Sequence, residues 1–181
     1  MNEPSPNKKN SPAMHGARRR SAARLAACQA LYEMDISETS ADTALRGFFP
    51  NSWNIVESEE GEVRLSVLAE PDGDHLCDLV RGVSSHKAAI DPMIEASLSE
   101  PWTLDRLESL LRSILRAGAY ELLAIKDVPP RVVINEYLEV TRAFFSGNEI
   151  SLVNNVLDQL AHTLRADAFK SADNEPTDKT D

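Results

Sequence analysis

From Thr103 to about Ile125, apolar residues return every three or four positions: Leu104, Leu107, Leu111, Ile114, Leu115, Gly118, Leu122 and Ile125. Arg106, Glu108, Arg112, Ser113 and Arg116 fall between them. A period of 3.6 puts the first set on one side of an α-helix and the second on the other. A stripe this broad must be covered by other elements, so the chain has to fold around this segment. Thr103 suits an N-cap, and Asp105 suits the positive end of the helix dipole. Gly118 is unfavourable in mid-helix, and its presence predicts close approach by another helix.

The same period recurs along the chain. Ala23, Ala27, Leu31 and Met34 predict a helix from about Ala17 to Asp35, with small alanines that allow tight packing. A short helix is expected from Ser40 to Phe49, ending before Pro50. Leu76, Leu79, Val80 and Val83 form one stripe from about His75. Asp91-Pro92 reads as an N-cap and first-turn proline, opening a separate short helix through Ile94 and Leu98. After Val128-Pro129-Pro130 a helix should turn Val133, Ile134, Tyr137, Leu138 and Phe144 inward, with Gly147 ending it. Asn148 can cap a last helix, striped by Val153, Val156, Leu157, Leu160 and Leu164. Six or seven helices joined by short links predict one all-α bundle, a helical domain spanning residues 17–166. Residues 1–16 are polar and proline-interrupted and read as a disordered tail. Residues 50–74 carry Glu57, Glu59, Glu60, Glu62, Glu70, Asp72 and Asp74 and read as an acidic surface insertion. Residues 167–181 read as a disordered acidic tail.

Charge is unevenly spread. The net charge is -10, yet Lys8, Lys9, Arg18, Arg19, Arg20 and Arg24 precede Glu33 with only Glu3 to oppose them. From Glu33 onward 13 basic residues face 28 acidic ones. A basic end on an acidic body hints at a polyanionic partner; a solvated basic tail without one is the alternative. Guanidinium groups bind phosphate in pairs of hydrogen bonds and stack on bases, so the Arg18-Arg19-Arg20 run with Arg24 one turn later suits RNA. Cys28 and Cys77 lack metal-ligand spacing and read as buried thiols in a reducing compartment. With no apolar run near the ~20 residues a membrane span needs and no secretory signal, the expected location is the cytoplasm. No phosphate loop, HExxH or CxxC is present, and His15, His75, His86 and His162 are scattered, so neither catalysis nor a cofactor is expected. Glu136 and Glu139 read as a solvated helix face.

Several stretches together resemble the NusB family. Arg24-Leu25-Ala26-Ala27-Cys28-Gln29-Ala30-Leu31-Tyr32-Glu33 is similar to its first helix, and Ile114-Leu115-Arg116-Ala117-Gly118-Ala119-Tyr120-Glu121-Leu122 to its central helix. Asp127-Val128-Pro129 and Val133-Ile134-Asn135-Glu136 resemble the following turn and helix. Phe144, then Val153-Asn154-Asn155-Val156-Leu157-Asp158, resembles the final helix. The segments keep their order over about residues 18–165.

The resemblance implies an RNA-binding transcription antitermination factor. It implies binding of the boxA element of nascent ribosomal RNA leaders together with NusE, a small-subunit ribosomal protein, within the RNA polymerase antitermination complex. By position, Arg18, Arg19, Arg20 and Arg24 would contact phosphates and bases, and Asn148, Ser151 and Leu152 would form a second patch. Asn148 as a plain cap and Leu152 as core are the competing readings. The NusE surface would involve Glu108, Arg112 and Arg116, which are otherwise merely solvent-facing. Family members occur as monomers and dimers, so a homodimer stays open. Two other readings remain: a helical protein-interaction module without RNA activity, and a NusB-like domain accessory to an RNA methyltransferase.

Overall fold

The computed structural model describes residues 12–48 and 70–170. Seven α-helices and one 3₁₀ turn make up the fold among these residues: α1 (Pro12–Ser37), α2 (Ala41–Arg46), α3 (Gly73–Ser97), the turn Leu104–Arg106, α4 (Ser109–Ala124), α5 (Pro130–Phe144), α6 (Asn148–Leu164) and α7 (Ala166–Lys170). The all-α class is as the sequence predicts. None of these helices is long and apolar enough to cross a membrane.

The striped segment sits at the centre, where α4 touches α1, α3, α5 and α6. Leu111, Ile114, Leu115, Ala117 and Leu122 are buried on it. Gly118 does what its position predicted. A Cβ there would lie 2.8 Å from Leu157 Cδ2, so only glycine lets α6 settle against α4. The alanines of α1 work likewise: Ala22, Ala23, Ala26, Ala27 and Ala30 are all buried, which lets α3 and α4 both pack on one slender helix.

The central element does not run unbroken from Thr103. Leu104–Arg106 is a 3₁₀ turn, Leu107 is extended, and the α-helix begins at Ser109. Leu104 and Leu107 are both buried, because a 3₁₀ turn also brings residues i and i+3 to one side. Thr103 makes no side-chain cap; the Leu104 N–H instead donates to Glu95 Oε2 at 2.7 Å.

Pro92 does not divide α3, contrary to the expected break. The helix continues from Gly73 to Ser97 because Ile90 and Ile94 are buried on either side of the proline and Asp91 bonds Arg116 of α4. That packing offsets the ~3 kcal/mol a mid-helix proline costs. The expected boundaries shift elsewhere too. α1 begins at Pro12, five residues before Ala17, since a first-turn proline loses no hydrogen bond. α3 begins at Gly73, inside the segment assigned to the acidic insertion, with Asp72 accepting from the His75 N–H at 3.1 Å. Ala166–Lys170 is helical rather than tail. The rest of the expected tails and insertion, residues 1–11, 49–69 and 171–181, lies outside the described residues.

At the α5–α6 junction, Phe145 closes α5 and Gly147, not Asn148, stands at the N-cap of α6. The buried stripe of α5 ends at Thr141. Phe144, expected inward, is exposed, while Phe145 packs against the core. Arg165 follows α6 and secures the other end of α4. Its guanidinium donates to the carbonyls of Leu122 (2.7 Å), Glu121 (2.9 Å), Val128 (2.6 Å) and Ile125. The Glu121 carbonyl also accepts from the Ile125 N–H at 3.1 Å, and through this set of carbonyls Arg165 caps α4 and fixes the turn into α5.

Candidate nucleic-acid interface

The arginine run lies on the exposed start of α1, but its members differ. Arg18 and Arg20 are exposed and hold no ion pair among the described residues. Arg19 is half-buried. Its Nε donates to the Glu70 carbonyl at 3.4 Å, and its own carbonyl accepts from the Asp72 N–H at 3.0 Å, tying the re-entering chain to α1. Asp72, Asp74, Asp78 and Asp127 border Arg20 on one flank. These carboxylates make that flank of Arg20 acidic.

Arg24 is not a surface cation. It is 3% exposed, and its Nε donates to Glu121 Oε1 and Oε2 at 3.2 and 3.0 Å. Nη1 reaches Glu136 at 3.2 Å, so Glu136 is a clamp partner and not a solvated face. Glu121 is fully buried and also accepts from the Tyr137 hydroxyl at 2.9 Å. Burial works against the charge on Arg24, but the bonds and charge of Glu121 outweigh it and hold the guanidinium above its ordinary value. The sequence carried a signal for this: Glu121 falls three residues after Gly118 on the buried stripe of α4, where a carboxylate requires a cation. Arg24 therefore joins α1, α4 and α5 and is unavailable to RNA.

His75 borders the same cluster. Its Nε2 is buried without a hydrogen-bond partner and lies 3.7 Å from Glu121 Oε1. Burial lowers the pKa of the ring, opposed in part by Glu121. Cys28 is fully buried nearby, and burial and then Glu121 push its thiol well up, as expected of an inert thiol; Cys77 is half-buried.

The surface expected from Glu108, Arg112 and Arg116 is likewise divided. Glu108 is exposed. Arg116 is 7% exposed and bonds Asp91 through two 2.8 Å contacts and Asp35 at 3.2 Å. Arg112 is half-buried and also bonds Asp35, at 3.0 Å. Both arginines are spent on joining α1, α3 and α4, because Asp35 and Asp91 face the side of α4 that the sequence assigned to solvent.

Of the second patch, Asn148 and Ser151 are exposed on the first turn of α6, and Leu152 is buried in the core. Leu152 is therefore removed from the contact set. The helices fix where this patch lies. Arg24 bonds Glu121 and Asp35 bonds Arg112, so α1 and α4 are antiparallel. A short turn reverses the chain into α5, and Tyr137 returns to Glu121, so α5 runs in the same direction as α1. α6 then starts at the far end of the α1–α5 seam. From Arg18 to Tyr32, the last exposed aromatic on α1, is about 21 Å at 1.5 Å per residue. The arginines and the α6 patch thus lie toward opposite ends of the bundle, and no hydrogen bond or ion pair joins them among the described residues.

The NusB family model matches residues 21–162. The transcription antitermination protein NusB of Rhodospirillum rubrum is 44% identical over 161 residues, covering 83% of this chain and 87% of that protein. The Maricaulis maris protein of the same name is 44% identical over 162 residues, covering 89% and 97%. Among solved structures, T. maritima NusB superposes with a TM-score of 0.67 at 26% identity, over 83% of this chain and 96% of that one. The solution structure of NusB from Aquifex aeolicus gives 0.60 at 24% identity, over 91% and 99%, a likeness of fold.

Proposed function

The chain belongs to the NusB family of transcription antitermination proteins, and on that premise we propose that it binds the boxA element of nascent ribosomal RNA leaders together with NusE and supports ribosomal RNA transcription. The observation that carries this reading is the pair Arg18 and Arg20, exposed and without carboxylate partners among the described residues, on a helix whose Arg19 is half-buried and whose Arg24 is buried. Arg18 and Arg20, two residues and so about 200° apart around α1, leave the start of this helix cationic on an acidic protein, where phosphates gain paired hydrogen bonds and release counterions. Asn148 and Ser151, exposed on the first turn of α6, add uncharged polar groups suited to base edges of a single strand. Arg19, fixed through its Nε, orients this start of α1 more than it binds.

Within this reading the protein is a non-catalytic factor working in the cytoplasm, as part of an RNA polymerase assembly. With Arg112 and Arg116 committed internally, Glu108 is what remains exposed of the expected NusE surface.

The test is a titration of labelled boxA RNA and a scrambled RNA of equal length, each with and without purified NusE. The proposal expects tighter binding to boxA and a further gain when NusE is added. Equal affinity for both RNAs with NusE present overturns it.

A further inference from the structure

The chain leaves α6 beside the start of α1. Arg165, directly after α6, donates through Nη1 to the Val128 carbonyl at 2.6 Å. Val128 lines a cleft with Ala17 and Arg20 of α1, so Arg165 and Arg20 both lie against the turn that carries Val128. α7 follows at once and ends at Lys170. Its five residues carry the chain about 8 Å. Residues 171–181 can span about 36 Å, enough to return to the start of α1 whichever way α7 points.

Those residues carry Asp173, Glu175, Asp178 and Asp181 against Lys179 alone. Their complement stands on α1. Arg18 and Arg20 are exposed and hold no ion pair among the described residues. Asp72, Asp74, Asp78 and Asp127 share a cleft with Arg20, yet none pairs with it. Two other exposed cations lie at this end of the bundle. Lys126 is held on the Leu122 carbonyl at 3.2 Å, and Arg131 stands singly on the first turn of α5. Among the described residues here, α1 alone offers two guanidiniums within one helical turn.

We propose that residues 171–181 dock on Arg18 and Arg20, so that RNA must displace the chain's own carboxylates to reach the two guanidiniums. A tether this short holds the carboxylates at millimolar effective concentration. A contact with a dissociation constant of about 0.1–1 mM then keeps the arginines half to nine-tenths covered. The consequence for RNA rests on the RNA-binding reading above; the docking itself does not. Polyanions that offer charge alone are held off, while an RNA with further contacts still binds.

The test keeps the full chain and neutralises the segment in place: Asp173→Asn, Glu175→Gln, Asp178→Asn and Asp181→Asn together. At about 50 mM salt the backbone amide resonances of residues 17–21 should differ between wild type and this variant, and by about 200 mM salt the difference should be gone. Single-stranded boxA RNA should bind the variant about twofold to tenfold more tightly at the lower salt, the factor that the coverage implies. In an Arg18→Ala, Arg20→Ala background, neutralising the segment should gain nothing. A gain of equal size in that background means that the carboxylates repel RNA from a distance, and overturns the proposal. So do unchanged α1 resonances, a change confined to Lys126 and Arg131, or an unchanged affinity. Each of these leaves the RNA-binding reading standing. Absence of RNA binding by wild type and variant alike overturns that reading and the competition with it, while the resonances still decide the docking.

Discussion

Arg24 Nε lies 3.0 Å from Glu121 Oε2 in an ion pair that solvent does not reach. The pair ties the first helix to the central one and, through Glu136 and Tyr137, both to α5. The basic run of α1 thus has an inner member, Arg24, that holds the bundle, and outer members, Arg18 and Arg20, that stay exposed.

Breaking this pair from one side leaves a buried charge without its counterpart. Arg24→Ala and Glu121→Ala are each expected to lose about 3–5 kcal/mol of stability in urea unfolding. The double change Arg24→Met with Glu121→Leu should lose less than either single change, because no unpaired charge remains. RNA affinity of Arg24→Ala, corrected for the folded fraction, should equal wild type.

Two glycines are spaces that a neighbour fills. A Cβ at Gly118 meets Leu157 at 2.8 Å, and one at Gly82 meets the Tyr120 ring at 1.9 Å. Gly118→Ala is expected to cost about 1–3 kcal/mol through overpacking. Gly82→Ala should cost more, because the Tyr120 ring must move and give up the hydrogen bond from its hydroxyl to Asp78, 2.9 Å long. Equal thermal midpoints for the two variants would contradict this ordering.

Helix identity was legible because burial repeats at 3.6 residues in α4, α5 and α6, and those stripes are where burial is found. Breaks were less so. A 3₁₀ turn shares the three-residue spacing of Leu104 and Leu107 with an α-helix, and Pro92 carries a stop signal that long-range packing overrides. Exposure was legible at Arg18 and Arg20, since it needs only their place near the end of a helix. It was not legible at Arg24, Arg112 and Arg116, whose partners Glu121 and Asp35 are 97 and 77 to 81 residues distant in sequence. Local pattern cannot report which faces meet. Leu152 and Phe144 exchanged their expected places for a related reason: the crossing of α5 and α6 decides which side of each helix end is covered.

His75 gives the fold a pH dependence with a definite sign. Burial lowers its folded pKa below the ordinary value near 6.5, so the unfolded chain takes up the proton first. Its contribution is fully present above about pH 6.5 and is lost as pH falls through the lowered folded value. Thermal midpoints measured from pH 7.5 to 5 should therefore drop less steeply in His75→Gln than in wild type. A steeper drop in the variant would mean that Glu121 favours the protonated ring after all.

The division between inner and outer arginines is tested most directly by the salt dependence of boxA RNA binding in wild type and in Arg18→Ala with Arg20→Ala. Removing two phosphate contacts should weaken binding and reduce the slope of log affinity against log salt by about 1.4, at 0.7 per contact on a single strand. Urea unfolding of the double variant should be unchanged. An unaltered slope and affinity, in a variant that remains folded, would contradict the account.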